Sequence, residues 1–278
     1  MRFNRYNMFN NYKIIWKKFS FVKKIEWTVI PEYKNTPLGK LIETFDDAYA
    51  LSNTAEFKCE FITKSPLSQV YKVTVDKKNY YLKKYNISRK KIQRYLGQSK
   101  AKAEWENLLW FNELKIPVAK VIAYGQETKA WVTHRGLIIT EELIDCSDLD
   151  NIANNYPHLL QQTNWVDKIS QQVAQVARTL HQHNFTHNDF KWRNIMVNIK
   201  ADYPQIYLID CPSGLKWFKP FLGYRIIKDL ACLDKKAKYN LRRSQRMAFY
   251  KDYAQCNKLT KKHKKQIRHI LKFFHNRE

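Results

Sequence analysis

His187-Asn188-Asp189-Phe190-Lys191-Trp192-Arg193-Asn194 is the stretch on which the reading of this chain turns, because it sets an aspartate and an asparagine with four residues between them. In a loop of that length the aspartate can accept the proton of an attacking hydroxyl. The asparagine can reach back to a metal ion that clamps phosphates. The spacing therefore points to phosphoryl transfer, with Asp189 as the base or orienter of the acceptor hydroxyl and Asn194 as a metal ligand. Lys191 lies two residues after Asp189 and can reach a transferring γ-phosphate. His187 is expected to pack under the loop and bond its backbone. Arg193 has no assigned role.

That chemistry needs further parts: a cation for the α/β-phosphates, an anion to hold the cation, and a second metal ligand. Each has a candidate in the chain. Lys83 lies in Tyr80-Tyr81-Leu82-Lys83-Lys84-Tyr85, which reads as a strand. Strand side chains alternate, so Lys83 and Lys84 face opposite ways. Lys83 is favoured because it shares a face with Tyr81 while Leu82 takes the other, and the choice stays open by one residue. Glu104, 21 residues later, sits on an expected helix and can pair with Lys83. Glu106 competes, but it lies about 200° around that helix, so both cannot face the lysine. Asp210 ends the apolar run Ile206-Tyr207-Leu208-Ile209, where a carboxylate suits Mg²⁺. Asp229, at the expected start of an apolar helix, can accept hydrogen bonds from the backbone of the 187–194 loop and hold its shape.

Periodicity supplies the frame. Alternation over Phe57–Tyr85 around a turn at Asp76–Asn79 predicts paired strands. Leu108, Phe111 and Leu114 at helical spacing predict a helix over Ser99–Leu114. Leu137–Thr140 reads as a short apolar strand. Asn164 is an expected cap for a helix running from Trp165 to about His183, with Ile169, Val173, Val176, Ala177 and Leu180 on one face. The expected fold class is α+β: a two-lobed, protein-kinase-like fold with a β-rich N-lobe carrying one key helix and a helical C-lobe. The expected divisions are a basic, aromatic arm over 1–28, a nucleotide-binding N-lobe over 29–140, and a C-lobe over 141–278.

Composition bounds the class of protein. The 278 residues carry a net charge of +25, and nineteen of those surplus charges lie in residues 1–28 and 235–278. An ordinary body with cationic ends suits an anionic surface. Met1–Glu26 interleaves Phe3, Tyr6, Phe9, Tyr12, Trp16, Phe19 and Phe21 with Lys and Arg, a pattern shared by interfacial membrane arms and by segments that pack on their own domain. Five scattered cysteines without a CxxC pair argue against a zinc site or a disulfide framework. The sequence has no run of 18 apolar residues and no secretory signal.

From about Trp27 to Tyr253 the chain resembles the bacterial lipopolysaccharide core kinases, the Kdo and heptose kinases of the protein-kinase-like superfamily. The likeness rests on Tyr81–Tyr85, Ala103–Leu108, Ile116–Ala119, Thr140–Leu143, His187–Asn194, Ile209-Asp210 and Asp229–Leu233. It implies transfer of the ATP γ-phosphate, with Mg²⁺, to a sugar hydroxyl of lipopolysaccharide core or another lipid-linked acceptor. It also implies a monomer that binds no nucleic acid and works on the anionic inner membrane of a Gram-negative bacterium, on the cytoplasmic side. Lys83, Glu104, Ser68 and Glu141 are then expected at the nucleotide, Asp189 and Lys191 in catalysis, and Asn194 and Asp210 at the metal.

Three departures stand out. The nucleotide loop Lys64–Val70 has no glycine, so backbone cover of the phosphates is expected to be looser or differently built, with a Ser65 or Ser68 hydroxyl as a candidate substitute. Asp210-Cys211-Pro212 replaces Asp-Phe-Gly, and Pro212 stiffens it. Only 18 residues separate Asp210 from Asp229, too few for a segment that binds a peptide. A small-molecule or antibiotic kinase, a pseudokinase binding module and, from charge alone, a nucleic-acid binder are the alternatives.

Overall fold

The computed structural model describes residues 23–54, 56–86, 98–129, 132–200 and 203–275. The expected aromatic arm falls outside them up to residue 22. The chain divides into two units, residues 1–105 with 120–142, and residues 106–119 with 143–278. The N-terminal region is built on a β-sheet and the C-terminal region is helical, as the pattern predicts. Among the described residues no helix is long and apolar enough to cross a membrane.

The first unit is a six-stranded antiparallel sheet. Its strands are β1 (Lys23–Val29), β2 (Lys58–Lys64), β3 (Ser68–Val75), β4 (Lys78–Asn86), β5 (Val121–Lys129) and β6 (Val132–Glu141), in the order β1-β5-β6-β4-β3-β2. Residues 23–28, at the end of the expected arm, thus form most of an edge strand. The β3–β4 turn is tighter than the sequence suggested. Asp76 and Lys77 alone make it, both at positive φ, with Val75 paired to Lys78. Two left-handed residues are what a two-residue hairpin with the right-handed twist of its strands requires.

Helices α1 (Pro37–Leu41) and α2 (Phe45–Ala50) cover one face of the sheet. Leu38, Ile42, Phe45 and Ala48 pack there against Val73, Leu82, Ile122, Leu137 and Ile139. Full burial of each large aliphatic or aromatic side chain is worth about 1.5–3 kcal/mol, which fixes β4 in register: Leu82 faces the core, so Lys84 must as well. Lys84 is indeed buried, its Nζ 2.5 Å from Ser52 Oγ and over the Tyr49 and Tyr71 rings. Burial pushes its pKa down.

The helix α3 (Lys100–Glu113) starts on Ser99, whose Oγ accepts the Lys102 N–H at 3.0 Å. Trp105 is buried and stacks on Tyr124. The far end of α3 belongs to the second unit. There Lys115, at φ 57°, donates to Asn112 O and Ile116 donates to Phe111 O, a Schellman close made without glycine.

The second unit carries β7 (Cys146–Asp148), α4 (Leu149–Asn155), α5 (Pro157–Gln161), α6 (Thr163–Gln182), β8 (Phe185–Thr186), β9 (Ile195–Asn198), β10 (Ile206–Leu208), β11 (Leu215–Lys216), α7 (Lys219–Asn240), α8 (Arg243–Ala254) and α9 (Lys261–Lys272). Helix α6 buries Val166, Ile169, Val173, Val176, Ala177 and Leu180 along one stripe. It begins two residues earlier than expected, which puts Asn164 inside its first turn rather than at its cap. Helix α7 begins ten residues before Asp229, so that aspartate lies in mid-helix and not at an opening.

Gly136 on β6 is required by the approach of α3, because a Cβ there would lie 2.4 Å from the Ala101 Cβ. Gly136→Ala should therefore lower stability by about 1–3 kcal/mol through overpacking, read as a fall in the urea midpoint at constant slope.

Candidate active site

The 187–194 loop is assembled from below. His187, Phe190, Trp192 and Asn194 are buried, while Asp189, Lys191 and Arg193 retain access to solvent. This alternation is legible as ring, ring, ring beneath and charge, charge, charge above. The His187 ring stacks on Phe190 at 5.2 Å and on Phe111 at 6.4 Å. Neither of its ring nitrogens has a hydrogen-bond partner among the described residues. The expectation that His187 bonds the loop backbone is not met; the ring serves as packing.

Asp229 does that bonding instead. Its carboxylate is fully buried and accepts the backbone N–H of His187 at 2.7 Å (Oδ2) and of Asn188 at 2.8 Å (Oδ1). A carboxylate taken out of water is costly unless hydrogen-bonded. Two backbone donors, with the His181 ring at 3.5 Å, answer that need. Asn188 sits at φ 63° and its amide donates to Ser213 O at 2.9 Å.

Above this base Asp189 is held from both sides. Lys191 Nζ lies 2.5 Å from Oδ1 and Arg193 Nη2 lies 3.2 Å from Oδ2. Burial raises the Asp189 pKa, but the Lys191 and Arg193 cations outweigh it and hold the carboxyl below its ordinary range. Asp189 is thus ionised at neutral pH. Arg193, unassigned from sequence, is one of its two counterions. Asn194 Nδ2 donates to Asp189 O at 2.8 Å, so Oδ1 is the atom with which Asn194 would hold a cation.

The position of Asp210 follows from strand register. Ile195 on β9 pairs with Leu208 on β10, and Ile209 N donates to Asn194 O at 3.1 Å. Asp210, the next residue, therefore lies at the same end of the hairpin as Asn194, with φ 62°. An amide oxygen and a carboxylate form a hard, oxygen-only donor pair that fits Mg²⁺. The segment after Asp210 is held by Asn107, whose Nδ2 donates to Cys211 O at 2.8 Å and Gly214 O at 3.1 Å. Asn107 and Asn188 were missed from sequence. The only signal for Asn107 was a polar residue inside an apolar helical face.

In the first unit Lys83 Nζ lies 2.8 Å from Glu104 Oε2 and 3.0 Å from Oε1. The Tyr85 hydroxyl also donates to Glu104, which is buried. Lys83 rather than Lys84 is thus the paired lysine, and Glu104 rather than Glu106 its partner. The glycine-free loop is built by Ser65, whose Oγ accepts the N–H of Leu67 at 3.2 Å and of Ser68 at 3.0 Å. The Ser65 and Ser68 hydroxyls are 3.1 Å apart. Glu141 accepts from the Tyr33 hydroxyl, and its pKa is raised by burial and by Glu32.

A family model, the lipopolysaccharide kinase (Kdo/WaaP) family, matches residues 62–259. The chain belongs to this family. A structure described as WaaP in complex with acyl carrier protein is similar to it, with a TM-score of 0.67 at 16% identity over 90% of this chain and 96% of that chain, a likeness of fold. A search of curated proteins gave no match. A lipopolysaccharide kinase is a phosphotransferase.

The unbonded His187 ring yields a test. Its pKa is lowered by burial, against the Asp229, Asp210 and Asp189 charges. The unfolded chain therefore takes up a proton near pH 6.5 that the native ring refuses, and this residue makes the wild type lose stability as pH falls below that value. His187→Phe should keep stability at neutral pH within about 1.5 kcal/mol and abolish that part of the acid slope, read by urea unfolding across pH.

Proposed function

We propose that this lipopolysaccharide kinase uses ATP and Mg²⁺ to phosphorylate a sugar hydroxyl, on Kdo or heptose, of lipid-linked core. The observation that carries this reading is the contact of Asn194 with Asp189 in a loop whose hairpin sets Ile209 opposite Asn194, with Asp210 next in the chain at the same end. Lys83, braced by Glu104 and Tyr85, serves the α- and β-phosphates. Ser68, beside Ser65 in the turn, offers the phosphates a hydroxyl where other kinases offer glycine N–H groups. Glu141 lies on the nucleotide side of the reaction. Asn194 and Asp210 would hold the metal, which would neutralise phosphate charge when bound.

Asp189 accepts the hydrogen bond of the acceptor hydroxyl and so aims its oxygen. The transition state is loose, with little bond made to the attacking oxygen, so a carboxylate of low pKa suffices and takes the proton late. Lys191, already beside Asp189, is the cation for charge on the transferring group.

The acceptor class is supported by length. Helix α7 starts at Lys219, which leaves only Cys211–Phe218 outside regular helix between Asp210 and Asp229. Eight residues make no platform for a peptide. A sugar needs none. The cationic ends of the chain suit the phosphorylated, membrane-anchored state of such an acceptor.

Purified wild type should transfer one phosphate, with Mg²⁺ dependence, to core lipopolysaccharide from a strain lacking the protein. Mass spectrometry of the released oligosaccharide identifies the sugar. Asp189→Asn should lose about 10²–10⁴-fold in rate with an unchanged thermal transition. A wild type that consumes no ATP with any such acceptor overturns the reading in favour of a binding module.

A further inference from the structure

The first two turns of α7 are largely exposed among the described residues. Phe218, Phe221 and Tyr224 are 67%, 52% and 49% exposed, and a Cβ added at Gly223 would meet nothing within 4 Å. Burying one such ring is worth a substantial part of 1.5–3 kcal/mol, so three exposed together mark a surface with a use. The rings form two pairs, bridged by Arg225, which lies over both Trp217 and Tyr224. Phe218 and Phe221 lie edge-to-face at 5.0 Å, and Tyr224 lies 5.6 Å from Phe273, just past the end of α9. Leu271, also on that end, is 54% exposed.

Charge around the patch has one sign. Cys211–Leu233 contains Lys216, Lys219, Arg225 and Lys228 against a single acid, Asp229, which is buried under the catalytic loop. Tyr253–His275 contains seven Lys and Arg and no acid. Arg225 lies over the Trp217 ring at 4.2 Å and Lys235 over the Phe274 ring at 5.0 Å, which spreads cations along the ring system. Aromatic rings at headgroup depth, flanked by cations, are what an anionic lipid–water interface selects.

We infer that the N-terminal turns of α7, with the C-terminal end of α9, form an anionic-phospholipid docking surface that inserts Phe218, Phe221 and Tyr224 at the headgroup level. The inference rests on the lipid-linked acceptor proposed above and names the face that meets the bilayer. Asp229 lies eight residues beyond Phe221 on the same helix, about 12 Å along it. A docked α7 would therefore set the catalytic loop at a fixed height above the membrane.

The test uses the full chain without nucleotide or acceptor, floated with vesicles of phosphatidylethanolamine and phosphatidylglycerol or of phosphatidylcholine alone. Wild type should partition to the anionic vesicles and be released by salt. The triple variant Phe218→Ser/Phe221→Ser/Tyr224→Ser should partition at least about tenfold more weakly. Lys219→Glu/Lys272→Glu should lose on the order of tenfold or more. All five side chains are exposed, so both variants should keep the wild-type thermal transition. Wild-type partitioning by either variant, or no binding of the wild type to anionic vesicles, overturns the inference. So does a triple variant that keeps vesicle binding but loses binding to an acidic carrier protein, which would assign the face to a protein partner. Failure here leaves the kinase reading standing, and vesicle binding without phosphate transfer overturns that reading alone.

Discussion

A single buried carboxylate organises the second unit. Asp229 takes the backbone N–H groups of His187 and Asn188 on its two oxygens, and the rest of the loop is built outward from that grip. Charge-assisted hydrogen bonds in a water-free setting are among the stronger polar contacts a protein makes. Their loss would leave an unpaired charge in the core. Because both acceptors are on one side chain of a 22-residue helix, the loop has the rigidity of the helix and not that of a connection.

From this anchor the remaining parts follow by short steps. Buried rings at His187, Phe190 and Trp192 turn the intervening charges outward. The loop runs into β9, whose pairing with β10 sets Ile209 opposite Asn194 and Asp210 one residue beyond. Asn188 and Asn107 then hold the turn beyond Asp210 by its carbonyls. These steps use buried rings and backbone groups, so the geometry depends little on the flexible side chains that would meet substrate.

Much of this was legible in the residues. The Asp189–Asn194 spacing, the apolar strand before Asp210 and the helical stripe of α6 are local patterns, and local patterns survive folding. Lys83 against Lys84 was not decidable locally, because alternation gives opposite faces without saying which face is covered. That answer came from α1 and α2, which lie earlier in the chain and seal the Leu82 side. The start of α7 was misjudged for a related reason. Its first turns are aromatic and exposed, so they lack the amphipathic stripe that marks a helix packed on a core. The Ser65 turn was expected only as a substitute for glycine, and its form, one hydroxyl accepting two backbone N–H groups, follows from tertiary placement.

The scarcity of glycine has a wider consequence. With only six glycines in 278 residues, the chain enters the left-handed region with side chains attached, at Asp76, Lys77, Lys115, Asn188 and Asp210 among others. Each such residue costs roughly 1–2 kcal/mol of steric strain, offset in part because a chain with fewer glycines has less backbone freedom to lose on folding. At Asn188 the side chain is itself in use, donating to Ser213 O, so glycine would relieve the strain and remove that contact. At Lys115 no such conflict exists. The molecule therefore holds its turns by force of surrounding contacts more than by permissive residues, and two of these positions, Asn188 and Asp210, lie in the candidate site.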